Sequence, residues 1–442
     1  MADLSGFPNF EIQFDKHGNR FNPAEEEQLF DFLSHNSMTD LLVISHGWNN
    51  DLADARALYA RFFERFSEIF RNGSVPGASA RRFAVASILW PSKKFTDQEL
   101  IPSGAASAGS PVSEVFLNKR IVELKAFFDD PAQQQMLAQA SQMIPQLDHS
   151  PQAQRDFMDL IRQLPNQSAA SPDDASDRFF NLPGDEVLKR LSKPALLKPG
   201  APGHAGGAAG IGHAATPAGG AAGFGEFFSG LKAGALKSLN LITYYEMKSR
   251  AGTVGTNGVN SIVRKVRSQF PALKIHLIGH SFGGRLVAAT TLGPDNQPPI
   301  DVSTLTLLQA AFSHNGFASK FDDNHHGFFR NVVTHHQVKG PTVITCTKND
   351  KAVGIAYPLA SLLALQNASA LGDANDPFGG LGRNGAQRTP EAVNSTLLPV
   401  GSTYQFEAGK LYNLNADGVI TDHSDICKNE VAYALLTAIA TT

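Results

Sequence analysis

The 442-residue chain contains only two cysteines and two tryptophans, and it has no long uninterrupted apolar run. Two cysteines cannot build a disulfide framework of the kind that holds small secreted proteins together. No stretch reaches the roughly 20 apolar residues of a membrane-spanning helix, so we expect no integral membrane segment. Residues 1–6 lack the basic and apolar regions of a signal peptide. A cytoplasmic protein is the default expectation, and export by a route without a signal peptide is left open.

The sequence also has no large excess of positive or negative charge. Lysine and arginine total 38 and aspartate and glutamate 41, which gives a formal net charge of −3. With no basic tract, neither nucleic acid nor an anionic membrane surface is an expected partner. Phosphate-binding and dinucleotide-binding glycine motifs are also missing, so we expect no cofactor. The hydrophobic fraction of 42% allows a large core, and the length favours one domain with a large insertion, or two domains.

The clearest pattern that is present is Gly-His-Ser-Phe-Gly at residues 279–283, a G-x-S-x-G motif. Residues 274–278 predict a short buried strand before it, and residues 284–292 predict a helix after it. In this setting the serine occupies a tight turn with its hydroxyl exposed. The helix directs its N-terminus at the oxyanion that forms in acyl transfer. Ser281 is therefore the predicted nucleophile, and the alternative is a chance match to five loosely specified positions.

A Ser–His–acid enzyme with this motif carries its acid and then its histidine further along the chain. The β-branched run at 341–347 predicts a central strand, and Asp350 follows its carboxyl end, where catalytic groups collect in open α/β sheets. Asp350 is the predicted acid, although Asn-Asp is also ordinary turn chemistry. Asp373 and Asp376, in a later loop, are the alternatives.

His423 is the predicted general base. It follows a strand-like stretch at 403–414 and precedes an apolar helix near 426–439, so its loop can bring the imidazole over the serine. The residues just after it are good helix N-caps, which is a compatible structural explanation for this segment. His280 is adjacent to the serine in sequence, but in a turn of this kind its side chain faces away from the hydroxyl.

Two backbone N–H groups are needed to stabilise an oxyanion. One predicted donor is Phe282, the residue after the nucleophile. Residues 41–45 predict an earlier strand, and residues 46–50, His-Gly-Trp-Asn-Asn, predict the loop after it. Gly47 permits a close approach of this backbone, which makes Trp48 the second predicted donor. The alternative is a polar turn that leads into the next helix.

These residues together resemble the α/β-hydrolases of the serine esterase and lipase type. The resemblance is carried by residues 45–48 and 279–283 and by Asp350 and His423, and it covers about residues 10–91 and 250–442. It implies a mainly parallel, eight-stranded sheet and a two-step acyl-enzyme mechanism. In that mechanism Ser281 is the nucleophile, Asp350 the acid and His423 the base. It does not name a substrate.

The other patterns predict strands that alternate with helices, which favours a doubly wound, mostly parallel α/β sheet. Strands are predicted at 10–22 (an initial hairpin strand), 82–90 and 303–311, and helices at 23–35, 51–72 and 261–270.

A large segment interrupts this order. We expect residues 1–91 and 244–442 to form the α/β-hydrolase core, and residues 92–243 to form a mainly helical or irregular cap or lid. Residues 199–223 are rich in alanine and glycine and predict a flexible tract. The apolar stripe at 224–241 could face an acyl chain, face a lipid surface, or simply pack on its own domain. A tolerated surface insertion is the alternative to a cap.

Five histidines lie between His314 and His336, with two aspartates among them. Their spacing fits no familiar ligand pattern, and solvated loop histidines are the simpler interpretation. We predict no metal site there, although the sequence alone leaves the question open.

The sequence thus predicts a serine carboxylic-ester hydrolase that acts on a small-molecule or lipid ester. Three alternatives remain at this point. A lipase or phospholipase, directed at membranes, is the nearest, because of the insertion and its apolar stripe. A peptidase or amidase is less favoured, because no accessory domain flanks the core. A non-catalytic binding module is the third, since fold alone does not give function.

Overall fold

The computed structural model of the chain describes residues 2–48, 50–92, 110–165, 171–174, 176–192, 228–350 and 378–442. Within these ranges, nine strands form one sheet and two short strands form a second. The strands of the main sheet are β1 (Ala2–Leu4), β2 (Phe7–Gln13), β3 (Asp40–Ser45), β4 (Phe83–Leu89), β7 (Lys274–His280), β8 (Thr304–Leu308), β9 (Thr342–Cys346), β10 (Ala392–Thr396) and β11 (Leu411–Asn415). The short pair is β5 (Ser110–Pro111) and β6 (Phe228–Ser229).

The main sheet has the order β1-β2-β4-β3-β7-β8-β9-β11-β10. All its neighbouring strands run parallel except the pair β1–β2. The expected mixed α/β fold with a mostly parallel sheet is therefore confirmed. The eight-stranded sheet that the resemblance implied is wrong for this chain, because the main sheet of the described residues has nine strands.

Two strand predictions need correction. The initial strand does not span 10–22: it ends at Gln13, and a bridge between Phe14 and Arg20 closes a turn. The strand predicted at 403–414 is confined to β11, while the edge strand β10 was not predicted. Because β10 is mostly exposed, it lacks the apolar alternation that predicts a strand.

The helices follow the predicted alternation closely. They are α1 (Pro23–His35), α2 (Leu52–Arg71), α3 (Glu114–Phe127), α4 (Pro131–Met143), α5 (Pro151–Arg162), α6 (Ser176–Asn181), α7 (Gly184–Leu191), α8 (Leu231–Thr253), α9 (Asn260–Gln269), α10 (Phe282–Leu292), α11 (Arg330–Thr334), α12 (Leu381–Asn384) and α13 (Asn429–Ala440). None of the described helices has the combination of length and apolar character that a bilayer crossing needs.

Alternate residues of the strands point to opposite faces of the sheet, and each face is covered by helices. In β3, Leu41 and Val43 pack with α1 and with α8 to α10, whereas Leu42 and Ile44 pack with α2 and α13. The second face is rich in aromatic rings. Phe7 lies 5.6 to 6.0 Å from four other phenylalanine rings, those of Phe63, Phe66, Phe70 and Phe83.

The predicted boundary at 243/244 lies within a helix. Helix α8 runs unbroken across position 243/244 and continues through a π-helical turn, Val254–Val259, into α9. Apolar residues of α3 to α8 share one core cluster with the sheet. The predicted flexible tract 199–223 lies outside the described residues, and the role of residues 92–243 as a cap stays a prediction.

Candidate active site

Ser281 lies at the sharp turn between strand β7 and helix α10. Its backbone has φ 57° and ψ −125°, a left-handed conformation that non-glycine residues rarely adopt. The neighbouring chain holds this turn, because Ser281 N–H donates to Leu308 O at 3.0 Å and Ala311 N–H donates to Ser281 O at 2.9 Å. The serine is 5% exposed. Its strained position is therefore fixed by backbone hydrogen bonds from the end of β8.

The two motif glycines are required by close backbone packing. A Cβ atom at Gly279 would lie 2.2 Å from Gly283 O, and one at Gly283 would lie 2.2 Å from Ser45 O. Both distances are shorter than any real Cβ contact, so any other residue would push the backbone segments apart. The motif thus fits this turn for steric reasons, and the second glycine brings the turn against the end of β3.

His423 makes a hydrogen bond through each ring nitrogen. Its Nε2 lies 2.8 Å from Ser281 Oγ, and its Nδ1 lies 2.8 Å from Asp350 Oδ2. The three residues follow β7, β9 and β11, so the carboxyl ends of three strands of one sheet bring them together. The structure therefore assembles the predicted serine, histidine and acid into one hydrogen-bonded chain.

The acid at the end of this chain is fully buried. Asp350 is 0% exposed, and its N–H donates to Thr347 O at 3.1 Å, which fixes the turn after β9. Gln309 Nε2 also lies 3.4 Å from Asp350 Oδ2. Gln309, which has a left-handed φ of 45° just after β8, was not predicted as a site residue from the sequence. No motif in the sequence points to it.

The environment of His423 favours its protonated form. Burial lowers the pKa of His423, but the negative charge of Asp350 and the hydrogen bond to it raise the pKa by more, so that it lies above 6.5. Its side chain is 12% exposed. A histidine held in this way accepts a proton more readily than a free imidazole, which is the property required of a general base.

His280 contacts the backbone of His423. Its Nε2 lies 2.9 Å from His423 O, and the two rings are 5.0 Å apart. Burial, together with the nearby His423, lowers the pKa of His280 to about 3. His280 is therefore neutral at ordinary pH, and its ring hydrogen bond is made to the carbonyl of His423.

No family model, curated protein or solved structure matches the chain. The chain has a mixed α/β fold, which is compatible with an α/β-hydrolase. The geometry of the site is therefore the basis for a functional proposal.

The loop after β3 approaches the serine, as an oxyanion loop would. A Cβ atom at Gly47 would lie 2.4 Å from Ser281 Cβ, so only glycine permits this approach. His46 Nδ1 lies 2.9 Å from Gly47 O, and burial lowers the pKa of His46 to about 4. The neutral His46 ring stacks on Trp90 with 5.5 Å between centroids. A buried, rigid support thus holds the carbonyl of the Gly47–Trp48 peptide.

The other predicted donor, Phe282, is the first residue of α10. Its ring lies 6.1 Å from the ring of Trp48 and 5.1 Å from that of Tyr244. N–H groups in the first turn of a helix have no acceptor within the helix, which suits Phe282 to bind an oxyanion. The roles of Trp48 and Phe282 as donors stay predictions.

The sequence offered two other groups of candidates, the alternative acids and the histidine cluster. The alternative acids, Asp373 and Asp376, lie outside the described residues. Among the residues that the structure describes, no group of three or more histidine, cysteine, aspartate or glutamate side chains could hold a metal ion. Of the histidines between 314 and 336, His314 is buried beside Asn384 and Gly379, and His325 pairs with Asp322 at the surface.

Proposed function

We propose that the chain is a serine carboxylic-ester hydrolase. The observation that carries the proposal is the hydrogen-bonded chain Ser281–His423–Asp350, with 2.8 Å at both links. It occurs at a serine with strained backbone at a strand-to-helix turn, where a nucleophile is exposed to substrate in this class of fold. Such a constellation is defined by geometry and roles rather than by sequence position.

In the proposed reaction, His423 Nε2 takes the proton of Ser281 Oγ as that oxygen attacks the ester carbonyl. The negative oxygen of the tetrahedral intermediate accepts hydrogen bonds from the N–H groups of Trp48 and Phe282. His423 then donates its proton to the alcohol, which leaves, and an acyl group remains on Ser281. Water that is deprotonated by His423 releases the acid and restores the serine. Asp350 orients the imidazole and stabilises its charged form.

The lipase alternative has less support. It rested on the large insertion and its apolar stripe at 224–241, but three leucines of this stripe pack inside the protein. Leu236, Leu239 and Leu241 are at most 8% exposed and belong to the core. Residues 224–227 lie outside the described residues. An ester that reaches the site from solution is therefore favoured over a lipid surface.

The nucleophile can be tested with a fluorophosphonate probe and p-nitrophenyl acetate. Ser281→Ala should abolish labelling and lower hydrolysis by several orders of magnitude, because removing the nucleophile disables the whole triad. Its thermal unfolding should match that of the wild-type protein. Labelling of the wild type at a different serine, or hydrolysis unaffected by the substitution, would refute the proposal. A wild type that is never labelled would support the binding-module alternative.

We also propose that residues 92–243 form a cap beside the acyl pocket. Two contacts of the described residues support this. The carbonyl of Asp173, in this segment, accepts a hydrogen bond from Ser313 Oγ, in the loop after β8. Helix α8 begins in the segment and continues beyond it, and the ring of Tyr244, the first residue after the segment, lies 5.1 Å from the Phe282 ring.

The cap proposal predicts a change in chain-length preference. Tyr244→Ala should alter the ratio of octanoate to acetate ester hydrolysis, since longer acyl chains contact more of the pocket wall. Tyr244→Phe, which keeps the ring, is the matched control and should retain the wild-type ratio. An unchanged ratio in the alanine variant would show that helix α8, which continues from the segment, forms no wall of the acyl pocket, and it would favour the surface-insertion alternative.

A further inference from the structure

His280 and Ser281 are consecutive residues, and both contact His423, but at different atoms. Ser281 Oγ lies 2.8 Å from Nε2 of the His423 ring, whereas His280 Nε2 lies 2.9 Å from the main-chain carbonyl oxygen of His423. The nucleophile and the residue before it thus hold the same histidine at its side chain and at its backbone. The catalytic scheme above uses only the first of these contacts.

The direction of the second hydrogen bond follows from chemistry. A carbonyl oxygen can only accept, so His280 Nε2 must carry the hydrogen. The other ring nitrogen, Nδ1, is then unprotonated, and it has no hydrogen-bond partner among the described residues. Placing a proton there would bury a charge beside His423, and burial together with that neighbour already lowers the pKa of His280 to about 3. The donor at Nε2 is therefore present throughout the neutral pH range.

The segment that carries His423 has little regular structure of its own. It joins β11 to α13, and its internal hydrogen bonds connect residues that are close in sequence. Thr421 N–H donates to Asp425 Oδ2, and Ser424 N–H donates to Asp422 Oδ1. The ring bonds of His423 fix the imidazole but leave its backbone to be positioned by other contacts. A bond to the backbone carbonyl from the rigid strand β7 supplies such a contact.

The ring bonds of His423 also change during acyl transfer, because its Nε2 releases Ser281 Oγ to protonate the leaving alcohol. The bond from His280 involves no reacting atom and persists through this step. We propose that His280 is a positioning residue, which holds the main chain of the general base at a fixed distance from the nucleophile throughout the reaction. This inference rests on the proposed hydrolase function.

Substitutions that keep or remove one N–H group test the inference. Glutamine reaches its Nε2 in the same number of bonds from Cα as histidine, so His280→Gln can still donate to His423 O. Asparagine is one bond shorter, and leucine has no donor. For p-nitrophenyl acetate, we expect His280→Gln to keep kcat within about threefold of wild type. His280→Asn and His280→Leu should lose about 10- to 100-fold in kcat with a nearly unchanged KM, the loss typical of a small misplacement of a catalytic group.

Hydrogen exchange of the 416–428 amides gives a second readout that needs no enzymatic activity. Exchange should be faster in His280→Leu than in the wild type, and His280→Gln should resemble the wild type. Full activity and unchanged exchange in His280→Leu would overturn the inference. So would a glutamine variant as inactive as the leucine variant, since the ring and not its N–H would then be the required feature. An inactive wild type with the expected exchange pattern would instead refute the hydrolase proposal and leave the backbone tether as a structural contact.

Discussion

At the scale of single residues, the strongest prediction concerns the acid. Asp350 raises the pKa of His423 above 6.5 against the opposing effect of burial. A protonated imidazole cannot take the serine proton, so hydrolysis should rise with pH through that raised pKa. Asp350→Asn should lower turnover by roughly three to four orders of magnitude, since the imidazole loses its correct tautomer. The activity that remains should decline at a lower pH than that of the wild type, because the pKa of His423 is no longer raised by the charge of Asp350.

A pH–rate profile of kcat/KM between about pH 5 and 9 checks this prediction. Asp422→Asn is the matched control, because the charge of Asp422 also raises the pKa of His423 but as a smaller contribution. The asparagine keeps the Oδ1 acceptor for Ser424 N–H. We expect that variant to retain most activity. A normal rate in Asp350→Asn, together with an inactive Asp373 or Asp376 variant, would show that the catalytic acid is one of these two later aspartates.

The candidate site was largely predictable from the sequence because its parts follow strands. Ser281 and Asp350 each stand just beyond a run of β-branched or apolar residues, and His423 lies in the loop after β11. Parallel strands bring such positions to one edge of a sheet. The supporting residues were less predictable. His46, His280 and Gln309 act through backbone carbonyls or through the acid, and no spacing rule relates them to the residues that they contact.

At the scale of elements, the π-helical turn between α8 and α9 allows close packing on the helix that follows the serine. A Cβ atom at Gly255 would lie 2.2 Å from Leu286 O in α10. Gly255→Ala should therefore destabilise the fold by about 1–3 kcal/mol, the usual result of overpacking. Urea unfolding measures this loss.

Gly252→Ala, three residues earlier, is the matched control. A Cβ atom there would meet only the Arg285 side chain, at 3.8 Å, an ordinary contact. Alanine also has the higher helix propensity, so this variant should be unchanged or stabilised by up to about 1 kcal/mol. Equal unfolding free energies for the two variants would show that the π-helical turn and α10 are not packed as described.

Elements with strong periodicity were predicted well. Helix α2 was expected at 51–72 and occupies Leu52–Arg71, with Asp51 as its N-cap. The boundary predicted at 243/244 lies inside α8, nearly all of which is buried. A helix without a polar face carries no amphipathic pattern to mark its limits.

At the scale of the whole molecule, buried histidines should make stability depend on pH. Burial lowers the pKa of His276, although its bond to Asp40 at 2.8 Å opposes this. The unfolded chain then binds a proton below about pH 6.5 that the folded chain does not. Stability from this group is present above pH 6.5 and is lost as the pH falls, by up to about 1.4 kcal/mol per pH unit.

His276→Gln keeps a donor for Asp40 but cannot be protonated. Its unfolding free energy, measured in urea from pH 7.5 to 5, should fall less steeply than that of the wild type. The difference between the two proteins isolates His276, because the lowered pKa values of His46 and His280 affect both alike. Parallel curves would mean that His276 is protonated as easily in the fold as in the unfolded chain.

The aromatic face of the sheet has a consequence for biosynthesis. Helix α2 and the phenylalanines beside it are made early, whereas α13, which packs against them, is made after residue 428. While the ribosome translates the intervening residues, the part of that apolar surface that α13 covers has no partner from the same chain. Nascent chains are therefore candidates for chaperone binding, and chains that stop before α13 should aggregate rather than fold.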